Sequence, residues 1–196
     1  MPRPKHNANA IPTEERILSA AEQIFGEQGF ERSRLEDIAA GAGIRRPSLL
    51  YHFKSKDLLY TAVVNRVFVD LREKLIEEMK PREFHELVTQ LTKSLIEFVE
   101  ERPAMAPIVI REIVDGRGPA REILLKEISP TLDLVEKWIA AQGKGIVSGN
   151  LPIRAALLQL CSDIFLRASS GPLRHTLWDK DDKTSLQLTE ILFYRS

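Results

Sequence analysis

Basic, hydroxyl and aromatic side chains are concentrated in residues 41–56, GAGIRRPSLLYHFKSK. Arginine can form a bidentate hydrogen bond with guanine, worth about 1–3 kcal/mol of base discrimination, while lysine and hydroxyl groups contact phosphates. Residues 32–56 hold six basic and two acidic side chains, whereas the whole chain has 28 of each. The positive charge is therefore local, and it indicates a surface that reads nucleic acid.

Two short helices are predicted to position these side chains, after a first helix at about residues 13–28. Ser33 followed by Glu36 is a capping-box pattern, which predicts the start of the second helix. Gly41 and Gly43 predict its end, because glycine readily adopts the left-handed conformation that terminates helices.

The third helix is predicted to begin near Pro47, where the missing N–H of proline costs nothing. At 100° per residue, Leu49 and Phe53 share one face, while Pro47, Ser48 and Tyr51 point roughly the opposite way. We expect the first face to pack and the second to be free for contacts.

The remainder of the chain also shows helical periodicity. A long amphipathic helix is predicted from Asp57 to about Met79, and Pro130 predicts a kink after Ser129 in a helix at about 120–141. No segment alternates apolar and polar residues with a period of two, so the prediction is an all-α fold of about nine helices. It comprises an N-terminal three-helix domain at 1–56, with a flexible arm at 1–12, and a C-terminal helical domain at 57–196.

Two short helices joined by a glycine-containing turn, the second one basic, form a helix-turn-helix pattern. The string SRLEDIAAGAGIRRPSLLYHFKSKDLL, preceded by an amphipathic helix, resembles the tetracycline-repressor (TetR) family of bacterial transcriptional regulators. The resemblance covers about residues 13–60 closely. Pro47 and Leu50 depart from it, because the family usually has a small residue and often a tyrosine at these positions.

The resemblance implies a double-stranded DNA partner and assigns its contacts. Arg45, Arg46, Pro47, Ser48 and Tyr51 would line the surface facing the groove, His52 and Lys56 would hold phosphates, and Arg32, Ser33 and Arg34 would contact the backbone. The alternative for either arginine of the 45–46 pair is that it only solvates the turn.

The C-terminal region would bind an unknown small-molecule effector, as the resemblance implies. Apolar side chains at helical spacing, and polar ones within apolar stretches, are candidates for the effector site, although residues of the core or of a solvated helix face show the same patterns. These candidates are Phe98, Met105, Ile108, Arg111, Trp138 and Phe165. The last two helices, at about 153–168 and 182–194, are apolar almost all round, which predicts a homodimer formed through them and a near-palindromic operator.

Other function classes lack the residues they need. Cys161 is the single cysteine, the four histidines have no neighbouring ligands at metal-binding spacing, and no catalytic set is visible, so we expect no metal, no cofactor and no enzyme activity. No signal peptide or membrane span is recognised, which predicts a cytoplasmic protein. The interpretation is a ligand-released homodimeric repressor; the alternatives are a non-specific nucleic-acid-binding protein and an all-α enzyme that binds small molecules.

Overall fold

Helices account for all the regular secondary structure in residues 11–80, 83–115, 119–178 and 183–194, which the computed structural model describes. The all-α prediction is confirmed. The elements are α1 (Thr13–Arg32), α2 (Leu35–Gly41), α3 (Arg46–His52), α4 (Lys56–Glu78), α5 (Phe84–Glu101), α6 (Met105–Asp115), α7 (Arg121–Ile123), a π-helical segment (Leu124–Ile128), α8 (Ser129–Gln142), α9 (Ile153–Ser169), a 3-10 turn (Gly171–Leu173), α10 (Arg174–Leu177) and α11 (Thr184–Phe193). Most of the predicted arm, residues 1–10, and residue 182 of the predicted last helix lie outside the described residues.

The junction between α1 and α2 differs from the capping-box prediction, which is wrong. Gly29 has φ 77°, so the chain bends within the last turn of α1. Ser33 lies beyond that bend, is buried, and donates its hydroxyl to the Gly29 carbonyl at 2.6 Å. Arg34 is therefore the residue that precedes α2, and no side chain caps this helix.

The turn between α2 and α3 is closed by backbone hydrogen bonds at Gly43. The Gly43 N–H donates to the Ala40 carbonyl at 3.0 Å, and the Ile44 N–H donates to the Ala39 carbonyl at 2.9 Å. This pair of bonds is the Schellman arrangement, which requires a left-handed residue, and Gly43 has φ 67°. The turn thereby fixes the direction in which α3 leaves α2.

The three N-terminal helices share a core with the body of the protein. Ile17 and Phe25 of α1 and Leu49 of α3 are fully buried in one cluster, which also contains Val63 of α4 and Met105 of α6. A second cluster lies at the far end, where α5, α8, α9 and α11 pack together. Residue 56 begins α4, whose first turn is capped by the Ser55 hydroxyl accepting from the Leu58 N–H.

The irregularity predicted at Pro130 takes the form of a π-helical segment rather than a break. Leu124–Ile128 is π-helical, and Ser129 keeps helical φ and ψ angles of −61° and −48°. Proline has no N–H for the carbonyl four residues earlier, so the regular ladder is interrupted here. Within the described residues, none of the helices is long and apolar enough to cross a membrane.

Candidate nucleic-acid interface and apolar cavity

The third helix presents one anchored face and one free face. Leu49 is fully buried and Phe53 is 9% exposed, whereas Pro47 and Ser48 are exposed and Tyr51 is 76% exposed. The predicted division of α3 into packing and free faces therefore agrees with the observed burial. A large aromatic side chain left in solvent on a seven-residue helix is available to contact another molecule.

The two arginines at the start of α3 differ in their surroundings. Arg46 lies beside Glu36 of α2, with 2.8 Å between Nε and Oε1, and both side chains are more than half exposed. Arg45 is exposed and pairs with no carboxylate among the described residues. Because an exposed ion pair contributes at most about 1 kcal/mol, Arg46 can exchange Glu36 for a DNA group at low cost.

The exposed end of α3 carries two aromatic rings and a lysine. The Tyr51 and His52 rings meet edge to face at 5.5 Å between centroids, and the Lys54 ammonium lies 5.4 Å from the Tyr51 centroid. Lys54 also donates to the Tyr51 carbonyl at 3.2 Å, so the cation is held beside the exposed rings.

Ser33 and Lys56 occupy structural positions beside this face. The Ser33 hydroxyl donates to the Gly29 carbonyl, as described above. The Lys56 ammonium donates to the carbonyls of Phe30 at 2.8 Å, Glu31 at 3.2 Å and Ser33 at 3.3 Å. It also lies 4.4 Å from the centroid of the Phe30 ring. Lys56 thus caps the end of α1. Arg32, in the last turn of α1, and Arg34, just before α2, are both exposed.

A network of ion pairs joins α1 to the body of the protein. The Arg102 guanidinium, just after α5, holds both oxygens of Glu22, at 2.9 Å from Nε and 2.5 Å from Nη2, and it donates to Asp70 at 2.6 Å. Arg66 of α4 donates to Glu22 at 2.8 Å and to Glu15 at 2.5 Å. Burial would raise the pKa of Glu22, but Arg102 and Arg66 outweigh burial and hold that pKa below its ordinary value.

Arg111, predicted as a ligand contact, caps α1 instead. Its guanidinium donates to the carbonyls of Phe25 at 3.0 Å and Gly26 at 2.8 Å. The neighbouring Glu112 is buried and accepts from the Tyr60 hydroxyl at 2.7 Å. Burial and this contact raise the pKa of Tyr60 above its ordinary range. One side of α6 is therefore committed to α1 and α4.

Another side of α6 lines an apolar cavity of about 180 Å³, which α4, α8 and α9 complete. A second apolar cavity of about 80 Å³ adjoins it between α5 and α9, and Leu95, Thr131 and Cys161 line both. Burial raises the pKa of the Cys161 thiol to about 11, so the thiol is an uncharged wall group. The larger cavity is also lined by Phe68, Leu71, Leu75, Val109, Ile110, Ile113, Ile128, Leu132, Leu158, Ser162 and Phe165.

Of the predicted ligand contacts, Phe165 lines the larger of these two cavities, and none lines the smaller. Phe98, Met105 and Ile108 are buried in the core, and Trp138 packs at the edge of the far cluster. Helical spacing indicated that these side chains are turned inward, and it carried no information on which inward positions border empty space. The cavity residues on α4 and α8 were missed for the same reason.

Comparisons with known proteins agree with this geometry. Residues 17–63 match the family described as bacterial regulatory proteins, tetR family. The HTH-type transcriptional regulator UidR of Escherichia coli K12 is 28% identical over 145 residues, which are 72% of each chain. The HTH-type transcriptional regulator RutR of the same strain is 49% identical over 51 residues, covering 26% of this chain and 24% of RutR.

Solved structures share the whole fold at low sequence identity. The fatty acid degradation regulator FadR of Bacillus halodurans has a TM-score of 0.73 at 16% identity, covering 95% of this chain and all of FadR. SmeT, the repressor of a Stenotrophomonas maltophilia efflux pump, has a TM-score of 0.66 at 23% identity and covers 97% of this chain and 94% of SmeT.

The fold is a helix-turn-helix with an exposed, basic second helix on an all-helical body. Its relatives are transcriptional regulators and not enzymes. Together these findings define a DNA-binding transcriptional regulator. The match at residues 17–63 supports the resemblance of this chain to the tetR family of bacterial regulatory proteins.

Proposed function

We propose that the chain is a homodimeric repressor that reads a near-palindromic operator through α3. The observation that carries the DNA-reading role is the exposed face of Arg45, Ser48 and Tyr51 on a helix anchored from behind by Leu49. Residues 1–56 would form the reading domain, and residues 57–196 would bind the effector and the second copy. Arg32, Arg34 and His52 would contact phosphates around the reading helix.

The decisive experiment is selection of genomic DNA fragments by the full-length protein, followed by footprinting of the enriched sites. We expect one palindromic sequence to be protected, and we expect Arg45→Ala to reduce affinity for it by about tenfold to hundredfold, the loss of one bidentate base contact. Lys54→Ala is the matched control, because a phosphate contact lowers affinity for every sequence alike. Equal losses for Arg45→Ala on the operator and on random duplex would favour non-specific coating of nucleic acid.

The exposed apolar surface of α9 and α11 supports the dimer. Leu158 and Leu166 are 46% and 50% exposed, and Ser162 lies between them at four-residue spacing on the same face of α9. Ile191 of α11 is 52% exposed. A second copy placed on this stripe would bury these side chains and set the two reading helices about 34–36 Å apart for half-sites one turn apart.

The dimer proposal is tested by sedimentation velocity on single variants. Leu166→Glu should shift the protein toward monomer, because it places a charge in the proposed contact. Leu134→Glu changes a similarly exposed leucine on α8, and it should leave the mass unchanged. Equal behaviour of the two variants would place the dimer contact elsewhere.

Ligand control is supported by the two roles of α6. Val109, Ile110 and Ile113 line the apolar cavity, while Arg111 of the same helix holds the end of α1. A molecule that enlarges the cavity would displace α6 and with it the reading domain. The molecule would weaken operator binding only to the extent that it binds the displaced arrangement of the protein more tightly than the original one.

The cavity can be probed with the apolar dye Nile red. We expect its fluorescence to rise with wild type and to rise much less with Cys161→Trp, because Cys161 lines both apolar cavities. Cys161→Ser is the matched control, since it keeps the volume of the side chain. Equal dye binding by all three proteins would contradict a ligand site in these cavities.

A further inference from the structure

A third, smaller cavity lies between α5, the end of α9 and the start of α11, and the functions proposed above do not use it. Its volume is about 40 Å³, and its wall includes Arg167, Arg174, Ser185, Glu100 and Ile164. It is therefore a space for one small polar group, with two arginines and one carboxylate around it.

Arg167 is the unusual member of this wall. Its side chain is only 8% exposed, yet neither Nε nor Nη2 donates a hydrogen bond among the described residues. The nearest carboxylate oxygen, Oδ2 of Asp163, is 3.7 Å from Nη2, too far for a hydrogen bond. That carboxylate already accepts from Trp178 Nε1 at 2.9 Å and from the Ser185 hydroxyl at 2.7 Å.

The two unused donors of Arg167 have a defined geometry. Nε and Nη2 form one edge of the planar guanidinium, and their N–H bonds are parallel, so a carboxylate can accept both at once. The Asp163 carboxylate and the Trp178 ring, whose centroid lies 5.9 Å from the guanidinium carbon, are its electrostatic partners. Leaving Nε and Nη2 without hydrogen bonds is still costly, because both donors have lost hydration. Arg167 also lines the small cavity, so this edge offers the hydrogen-bonding geometry of a carboxylate site next to that space.

The small cavity and the apolar cavities are neighbours that share lining residues. Ile164 lines both the small cavity and the apolar cavity of about 80 Å³. Leu95 and Cys161 line that cavity and the larger one of about 180 Å³. The three cavities are therefore neighbours through shared side chains, with Arg167 beside the smallest and apolar walls around the other two.

We propose that the effector is a fatty-acid-like carboxylate, with its head group on the Nε and Nη2 edge of Arg167 and its chain in the apolar cavities. This inference rests on the effector site proposed above and specifies its ligand. A neutral apolar molecule would leave Nε and Nη2 of Arg167 without hydrogen-bond acceptors. A bulky head group with several charges does not fit a space of about 40 Å³ with Glu100 in its wall.

The test compares dodecanoate with dodecanol, which has the same chain and no charge, by titration calorimetry on the full-length protein. We expect wild type to bind dodecanoate at least about tenfold more tightly, because charge-assisted hydrogen bonds to a buried cation are the strong ones. If dodecanol binds as tightly as dodecanoate, the head-group assignment is overturned while the apolar site stands. If neither binds, the effector site itself is refuted.

Arg167→Gln should weaken dodecanoate binding by about tenfold to hundredfold and change dodecanol binding less than about threefold. Unchanged dodecanol binding also shows that the variant is folded. Arg154→Gln is the matched control on the same helix, because Arg154 is already paired with Asp133 and Glu136; it should leave both affinities unchanged. Equal loss of both ligands in Arg167→Gln, or no loss of dodecanoate, would contradict the assignment.

Discussion

Replacing Glu22 by glutamine should destabilise the protein far more than replacing its neighbour Glu15. The Glu22 side chain is 9% exposed, and it forms ion pairs with Arg66 and Arg102, whose side chains are 17% and 19% exposed. Breaking a buried ion pair by removing one partner costs about 3–5 kcal/mol. The lower value applies here, because Arg102 keeps Asp70 and Arg66 keeps Glu15. We therefore expect the free energy of unfolding to fall by about 3 kcal/mol.

The measurement is urea denaturation followed by circular dichroism at one fixed protein concentration, because the proposed dimer would make stability concentration-dependent. On heating, the same loss corresponds to a decrease in Tm of about 6–12 °C for a chain of this size. Glu15→Gln removes a carboxylate that is half exposed and, among the described residues, forms an ion pair with Arg66 only, and it should cost less than about 1 kcal/mol. A Glu22→Gln loss no larger than the Glu15→Gln loss would refute the stabilising role of the network.

Three further outcomes follow from the same structure. The pKa of Glu22 is lowered in the folded state, so its carboxylate stabilises the fold at pH values above its pKa in the unfolded chain, and this stabilisation is lost as the pH falls through its pKa in the folded protein. Between about pH 5 and pH 3, wild type should therefore lose more stability than Glu22→Gln. Gly26→Ala places a Cβ 2.5 Å from a backbone oxygen of the turn after α5 and should cost about 1–3 kcal/mol in thermal unfolding, whereas Gly149→Ala meets nothing and should be close to neutral. Lys56→Met should lower Tm through the lost cap of α1 without changing the salt dependence of DNA binding, whereas Lys54→Met should reduce that dependence by about one phosphate contact.

Local features of the reading helix could be predicted from the sequence because they depend on neighbours within one or two turns. Pro47 lies in the first turn of α3, as proline favours, and Leu49 is buried while Tyr51 is exposed, as helical periodicity requires. The capping-box prediction at Ser33 failed because Gly29 bends the chain just before it and draws the serine hydroxyl inward. A glycine can adopt either sign of φ, and the sequence does not state which.

Contacts between distant segments were beyond prediction from a single sequence. Arg102 reaches Glu22 across 80 residues, and Arg111 reaches Phe25 across 86. Arg102 does not stand out by type or spacing, and Arg111, although selected as a ligand candidate, gives no sign in the sequence of its contact with α1. The unpaired donors of Arg167 could not be predicted either, because they are recognised only by the hydrogen bonds that are missing once three helices have packed.

The length of α4 sets the scale of any motion between the cavity and the reading surface. Its 23 residues span about 34 Å at 1.5 Å per residue. Phe68, Leu71 and Leu75, on its second half, line the cavity, while its first residue, Lys56, holds the end of α1. Leu71 lies about 22 Å along the helix from Lys56, so a tilt of about 9° at the cavity moves Lys56 by about 3.5 Å, close to the rise of one base pair along the duplex. In the repressor proposed above, a tilt of this size would move a reading helix out of register with its half-site.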